Sequence, residues 1–188
     1  MTLDIVNMDP ATDTNEAPIQ NKVANSGLLS LDLELLNPAG ERVAYDLAQH
    51  LWQGLVLREQ QLRDELKATD WSAYAGKHVA LFCSADAIIP TWAYMLVALR
   101  LQPVATTVLM GDLDQLESYL YDRVLDQLDL SPYHGAKVVV KGCSDIPVPT
   151  SAYVRITTLL LPVVQSLMFG EPCSTVPLWK KPKVANQG

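Results

Sequence analysis

Three cysteines, Cys83, Cys143 and Cys173, are the residues of this chain best able to do chemistry. Each opens a similar step: Cys83-Ser84-Ala85-Asp86 ahead of Pro90, Cys143-Ser144-Asp145 ahead of Pro147 and Pro149, and Cys173-Ser174-Thr175 ahead of Pro177. A turn after each sulfur would aim backbone N–H groups at it and favour the thiolate, the form that binds metals and attacks electrophiles. Three thiolates and one further ligand satisfy tetrahedral zinc, or hold an iron–sulfur cluster with one iron left open. Asp86, Asp145, Glu171 and Asp112 stand near the cysteines as candidates for that ligand. Separations this wide match no local zinc-finger or ferredoxin pattern, so only the fold could assemble such a site.

Two other chemistries compete for the same residues. A thiol nucleophile needs a base within reach, usually histidine. The three histidines offer little: His50 falls in a helix-like stretch, His78 opens an apolar strand at the far end from Cys83, and His134 sits in a Pro132–Gly135 turn. Free cysteines are also among the most buried residue types and pack as small hydrophobes. The chain would then be an interaction or scaffold module, its acidic surface or the Trp179 segment serving as contact. Gly111 and Gly170 follow strands, yet no glycine-rich phosphate fingerprint accompanies them.

The elements that must position the cysteines come from an internal repeat. Lys77–Asp112 aligns with Lys137–Glu171, pairing Cys83-Ser84 with Cys143-Ser144, leaving Ala85 unmatched, and continuing through Asp86/Asp145, Pro90-Thr91/Pro149-Thr150, Tyr94/Tyr153, Pro103/Pro162 and Gly111/Gly170. Each copy opens with a strand-like run, 78–82 or 137–141. A proline follows at a place suited to a helix start, and a second proline stops that helix ahead of another apolar run, 104–110 or 163–169. Strand, helix, strand demands parallel strands and a right-handed crossover, with a helix over about 113–128 joining the copies. Loops leaving the carboxyl ends of parallel strands share one rim, the usual ligand-binding edge, where the three thiols would converge.

The resulting expectation is an α/β fold: an open, mostly parallel sheet built from two tandem pseudo-repeated βαβ units, 77–112 and 137–171, with an N-terminal edge strand and helices. The edge strand spans 28–35; helices cover 45–52 and 59–67, the second alternating acid and base as an exposed face does. Residues 1–20 are polar and acidic and read as a mobile arm; 21–181 form one α/β domain; 182–188 are a flexible tail, with Lys180, Lys181 and Lys183 read as a solvated terminus.

Composition narrows the partners. The chain has 188 residues, 49% of them apolar, and a formal charge of -7. That is a globular composition with too few cations to hold nucleic acid or an anionic membrane surface. No apolar run approaches the roughly 20 residues of a membrane span, and the first residues carry acids where a secretory signal carries Lys or Arg, so a cytoplasmic location is expected. An odd number of widely spaced cysteines fits reduced thiols there.

The stretches Cys83 to Leu96 (CSADAIIPTWAYML), Lys141-Gly142-Cys143 and Gly170 to Leu178 (GEPCSTVPL) resemble domain-of-unknown-function family 2480, a set of small bacterial proteins, over about Asn21 to Lys181. The resemblance implies no activity. It does suggest an association with iron–sulfur assembly proteins, which agrees with metal or cluster ligation by Cys83, Cys143 and Cys173 assisted by Asp86, Asp145 or Glu171.

Overall fold

The runs 78–82 and 137–141 form the middle strands of two separate sheets. The computed structural model describes residues 27–142 and 146–182. In chain order the elements are β1 (Leu28–Asp32), β2 (Arg42–Asp46), β3 (Leu51–Trp52), β4 (Val56–Leu57), α1 (Glu59–Ala68), β5 (His78–Phe82), α2 (Thr91–Leu101), β6 (Thr107–Met110), α3 (Leu113–Leu125), β7 (Lys137–Lys141), α4 (Thr150–Leu160), β8 (Ser166–Glu171) and β9 (Ser174–Lys180). The first sheet runs β2-β5-β6, all parallel. The second runs β1-β7-β8, also parallel, with β9 added antiparallel at its edge. Strands β3 and β4 make a small hairpin. The class is α/β with open, mostly parallel sheets and, among the described residues, four helices, as expected from the sequence; the division into two sheets was not.

Middle strands covered on both faces need continuous apolar runs, and they have them: Val79, Ala80 and Leu81 are buried in one, Val138, Val139 and Val140 in the other. Helices α1 and α2 cover one face of the first sheet, setting Leu62, Leu66, Ala93, Val97 and Leu101 against Tyr45, Val79 and Leu81. Helix α3 covers the opposite face with Leu116 and Leu120, against Ala80 and Leu109. From its other side α3 sends Tyr121 and Leu125 into the core of the second sheet, where they meet Ala152, Ile156 and Leu160 of α4 and Leu31, Val138, Val140 and Leu167. One helix therefore serves two cores.

Hydrogen bonds at the start of each βαβ unit set its register. Asp70 and Asp129 accept the N–H of Ser72 and Ser131 and hold matching 3-10 turns. Gly76 and Gly135, at φ 71° and 67°, then donate to Val104 and Val163, and Thr106 and Gln165 donate to Lys77 and Ala136. These bonds make His78 the counterpart of Lys137, and carried along the strands they set Cys83 opposite Gly142. The pairing of Cys83 with Cys143 read from the sequence is thus one residue out of step. Cys143 and Asp145 themselves lie outside the described residues, as do the arm 1–20 and tail residues 183–188.

Three element assignments also change. The helix expected over 45–52 is the end of β2, a 3-10 turn over Leu47–His50 and then β3, because Asp46 ends the strand by accepting the Ala48 N–H at 2.8 Å. The second strand of each unit starts later than its apolar run, since Val104 and Val163 still bond back to the helix ends at Leu101 and Leu160. Lys180, read as part of a solvated terminus, is the last residue of β9.

Leu116 is fully buried between α3 and the first sheet, so Leu116→Ala should cost roughly 2–5 kcal/mol of stability. Urea unfolding monitored by circular dichroism checks this; a loss below about 1 kcal/mol would mean that α3 does not join the layers as described.

Candidate functional site

The carboxyl end of the first sheet gathers Asp46, Cys83, Ser84 and Tyr94. Asp46 ends β2 opposite Phe82, and its carboxylate accepts the Ser84 N–H at 3.0 Å and the Ser84 hydroxyl at 2.5 Å. Burial pushes the Asp46 carboxyl up, but the hydrogen bonds from Ser84 and Ala48 outweigh it and leave the group below the usual carboxylate range. Cys83 is half-buried; its thiol leans toward the Ala85 carbonyl at 3.7 Å, a weak contact for sulfur. Burial raises the Tyr94 hydroxyl, helped by the nearby Cys83 and Asp46. This rim offers a thiol, a carboxylate tied down by serine, and a phenol held in its neutral form.

The second sheet ends differently. Asp32 holds the Lys141 ammonium at 3.0 Å, and Glu171 stands 4.0 Å from the same nitrogen. The hydrogen bond and charge of Asp32, with that of Glu171, keep Lys141 protonated above the usual lysine range. Gly142 packs close to the Tyr153 hydroxyl and Leu33, at φ 143°, so a side chain there would be both strained and crowded. Cys173 is exposed in the turn between β8 and β9.

Of the three cysteines expected to converge, Cys83 and Cys173 lie among the described residues, and they leave different sheets. Cys83 leaves the three-stranded sheet and Cys173 the four-stranded one, so they share no sheet edge. Asp86 is exposed in the loop after Cys83, Glu171 faces Lys141, and Asp112 spends its carboxylate on the capping box of α3 with Gln115. Among the described residues no group of three or more His, Cys, Asp and Glu is gathered where it could hold a metal.

The sequence read the histidines as structural or solvated: His50 and His78 are buried and hydrogen-bonded, His134 is exposed, and His50 is placed differently from the helix expected for it. It lies buried between Tyr45, whose hydroxyl meets its Nε2 at 2.8 Å, and Glu65, at 2.5 Å from its Nδ1. His78 bonds Thr107 and the Ala39 carbonyl.

What sequence reasoning missed lies beside β6. Its outer edge is paired with no strand among the described residues, and an open groove flanks it on each face. On the α2 side a cavity of about 680 Å³ is lined by Tyr94, Met95, Ala98, Val108 and Met110, among others. On the α3 side a cavity of about 520 Å³ is lined by Leu109, Asp112, Asp114, Ser118, Tyr119 and Asp122. Met95 and Met110, which line this cavity, and Leu99 one turn along α2 from Met95 are each more than 60% exposed, unusual for large apolar side chains. Met95 and Leu99, four residues apart in the chain, were the signal that could have pointed here.

A family model for a protein of unknown function, DUF2480, matches residues 17–181, most of the chain. The chain belongs to this family. No curated protein and no solved structure matches it. Membership in DUF2480 bears out the resemblance seen in the stretches around Cys83 and Gly170 and brings no activity with it. Among the described residues of this DUF2480 chain no helix is long and apolar enough to cross a membrane.

Two outcomes follow for the rims. A depressed Asp46 carboxyl supports the fold above the ordinary aspartate range, near pH 4, and that support is lost as pH falls through the folded-state value. Ser84→Ala should therefore lower Tm most near pH 7, with the gap from the parent closing below about pH 3; a gap independent of pH would detach Ser84 from Asp46. Since Cys83 and Cys173 end strands of different sheets, Cys83→Ser and Cys173→Ser should leave the metal content of protein purified without oxygen unchanged. Loss of the same metal equivalent in both would place the two sulfurs in one site.

Proposed function

We propose that this protein is an interaction module that binds an extended polypeptide segment along the outer edge of β6, which no strand pairs among the described residues. The observation that supports the reading is a comparison internal to the fold. Strands β6 and β8 are counterparts, each parallel to a middle strand and each following a helix that begins after a Pro-Thr step. The outer edge of β8 carries β9, antiparallel from Ser166↔Lys180 to Glu171↔Ser174. Trp179 of β9 lies opposite Leu167 and packs against the core formed with α4. Val108 is the counterpart of Leu167, and beside it the cavity next to α2 is open.

The backbone is ready for such a guest. Gly111 N–H bonds back to Leu81, and alternate residues of a strand present their amides to the same side, so those of Val108 and Met110 face away from β5. Pairing an extended segment there satisfies main-chain groups, while pockets on either face choose its side chains. Burying one large aromatic yields at most about 4–6 kcal/mol by area, and association consumes much of that. One anchor alone therefore reaches roughly millimolar affinity, and main-chain pairing with further alternate side chains must supply the rest of a micromolar Kd, which needs about 8 kcal/mol.

The rival reading is a zinc ion or iron–sulfur cluster on Cys83, Cys143 and Cys173. It requires sulfurs from two sheets to meet, and the division of Cys83 from Cys173 weighs against it. A thiol enzyme based on Cys83 has no histidine at its rim among the described residues: the hydrogen-bonded pair there is Asp46 with Ser84, and His50 is committed to Tyr45 and Glu65.

Selection of a displayed random-peptide library on the full chain tests the proposal. Selected peptides should bind with micromolar Kd and slow amide exchange at Val108 and Met110, and Met110→Lys should weaken them about tenfold. Failure to select any peptide, or protection confined to other strands, would overturn it.

A further inference from the structure

Resting on that reading, we infer that the partner segment alternates large apolar side chains with lysine or arginine and runs antiparallel to β6. Successive residues of a strand point to opposite faces, so a segment laid along this edge sends every other side chain into each groove. The two grooves differ in chemistry. The α2 side presents Tyr94, Met95, Ala98, Val108 and Met110, a mostly apolar wall. The α3 side presents Asp112, Asp114 and Asp122 with Leu109, Ser118 and Tyr119, and the Arg123 guanidinium lies 5.9 Å from the centre of the Tyr119 ring, leaving three carboxylates to one cation along this wall. Asp112 is engaged in its cap with Gln115; Asp114 and Asp122 give this wall its further negative charge.

The chain's own covered edge supplies the pattern. On β9, Trp179 turns toward the α4 side opposite Leu167, and its neighbour Lys180, opposite Ser166, falls on the other face. Transposed to β6, the aromatic would enter the apolar groove beside Val108 and the following lysine would meet the aspartates of α3. The segment that covers one sheet edge thus ends on one aromatic–lysine step across the two faces, after a register shift at Leu167/Met168, and that step is the unit the other edge calls for. Pro177 in β9 lacks an N–H, which limits further pairing at that edge; β6 contains no proline, and among the described residues no strand pairs with its outer edge.

The second occupant an open strand edge could take is another copy of this chain, edge to edge. The net charge of -7 and the aspartates beside the edge oppose it, because pairing two β6 strands would bring two such acidic walls together.

The test uses the full chain and a fluorescein-labelled ten-residue peptide alternating Leu or Trp with Lys, its Lys→Glu analogue, and its Trp→Ser, Leu→Ser analogue. Fluorescence anisotropy should give the apolar–basic peptide about tenfold tighter binding than either analogue at low salt, with affinity falling as salt rises. The paired substitution Asp114→Asn with Asp122→Asn should erase the preference for lysine over glutamate. Asp114→Lys with Asp122→Lys should reverse it, and circular dichroism reports whether each variant keeps its fold. Equal binding of the lysine and glutamate peptides, with Val108 and Met110 still protected from exchange, would overturn the inference on charge while leaving edge capture standing. No protection of those amides by any peptide would remove the proposed function itself. Sedimentation as a dimer with the same amides protected would make a second copy the occupant and overturn the inference.

Discussion

Everything in this structure hangs on helix α3 being apolar on two sides. Leu116 and Leu120 bury against the underside of the first sheet, and Tyr121 and Leu125 bury against the second sheet and α4. A helix with one stripe would cover one sheet and leave the other to find its own partner. With two stripes, α3 becomes the shared layer between a unit whose opposite face is covered by α1 and α2 and a unit whose helix face it completes. Its start is fixed by the capping box of Asp112 and Gln115, so the turn out of β6 and the phase of both stripes are set at one point.

Sharing a helix has a topological consequence. The chain leaves β6 through Gly111 straight into α3, so no strand between them can serve as the outer strand of the second sheet. That strand comes instead from the beginning of the described chain: β1 pairs with β7, and the next strand, β2, crosses to pair with β5. The crossing is held by Arg42, whose guanidinium bonds Glu117 of α3 at 2.7 and 3.0 Å and the Gly40 carbonyl at 2.6 Å. Both outer strands end alike, Asp32 accepting the Glu34 N–H and Asp46 that of Ala48, so the two carboxyl rims are variations on one ending. They part company at the next residue of the middle strand. Lys141 neutralises Asp32, whereas Phe82 leaves Asp46 to Ser84.

Much of this was legible because the signals were local. The prolines before α2 and α4, the apolar runs of β5 and β7, and the charged face of α1 each report on a few neighbouring residues. The misreadings came where distant pairing decides. Cys83-Ser84 and Cys143-Ser144 look equivalent as letters, but the hydrogen bonds of Gly76, Gly135, Thr106 and Gln165 set the register from the strand beginnings, one residue away from that match. Tyr45 to Trp52 reads as a helix by spacing, yet parallel pairing with β5 holds Tyr45 and Asp46 extended. The two-sheet division, and with it the separation of Cys83 from Cys173, depends on which strand β1 joins, a choice that no local pattern encodes. Strand β9 was hidden by Pro177 and the lysines that follow it, features that ordinarily mark a frayed end and here suit an outermost strand.

The contrast between the two outer edges bears on why β6 is built as it is. An unpaired strand edge is a hazard, and proteins blunt such edges with proline, charge, shortness or a cover. The second sheet uses a cover and a proline. The first uses shortness, since β6 spans only Thr107–Met110, and charge, since aspartates of α3 flank it on one side only. On the other side Met95, Leu99 and Met110 remain exposed, which is the opposite of protection. An edge flanked mainly by carboxylates on one face and left apolar on the other is, on the proposed reading, one that disfavours copies of itself and takes a segment of complementary alternation. Selective protection of this kind is what a binding edge requires and what a merely tolerated one lacks.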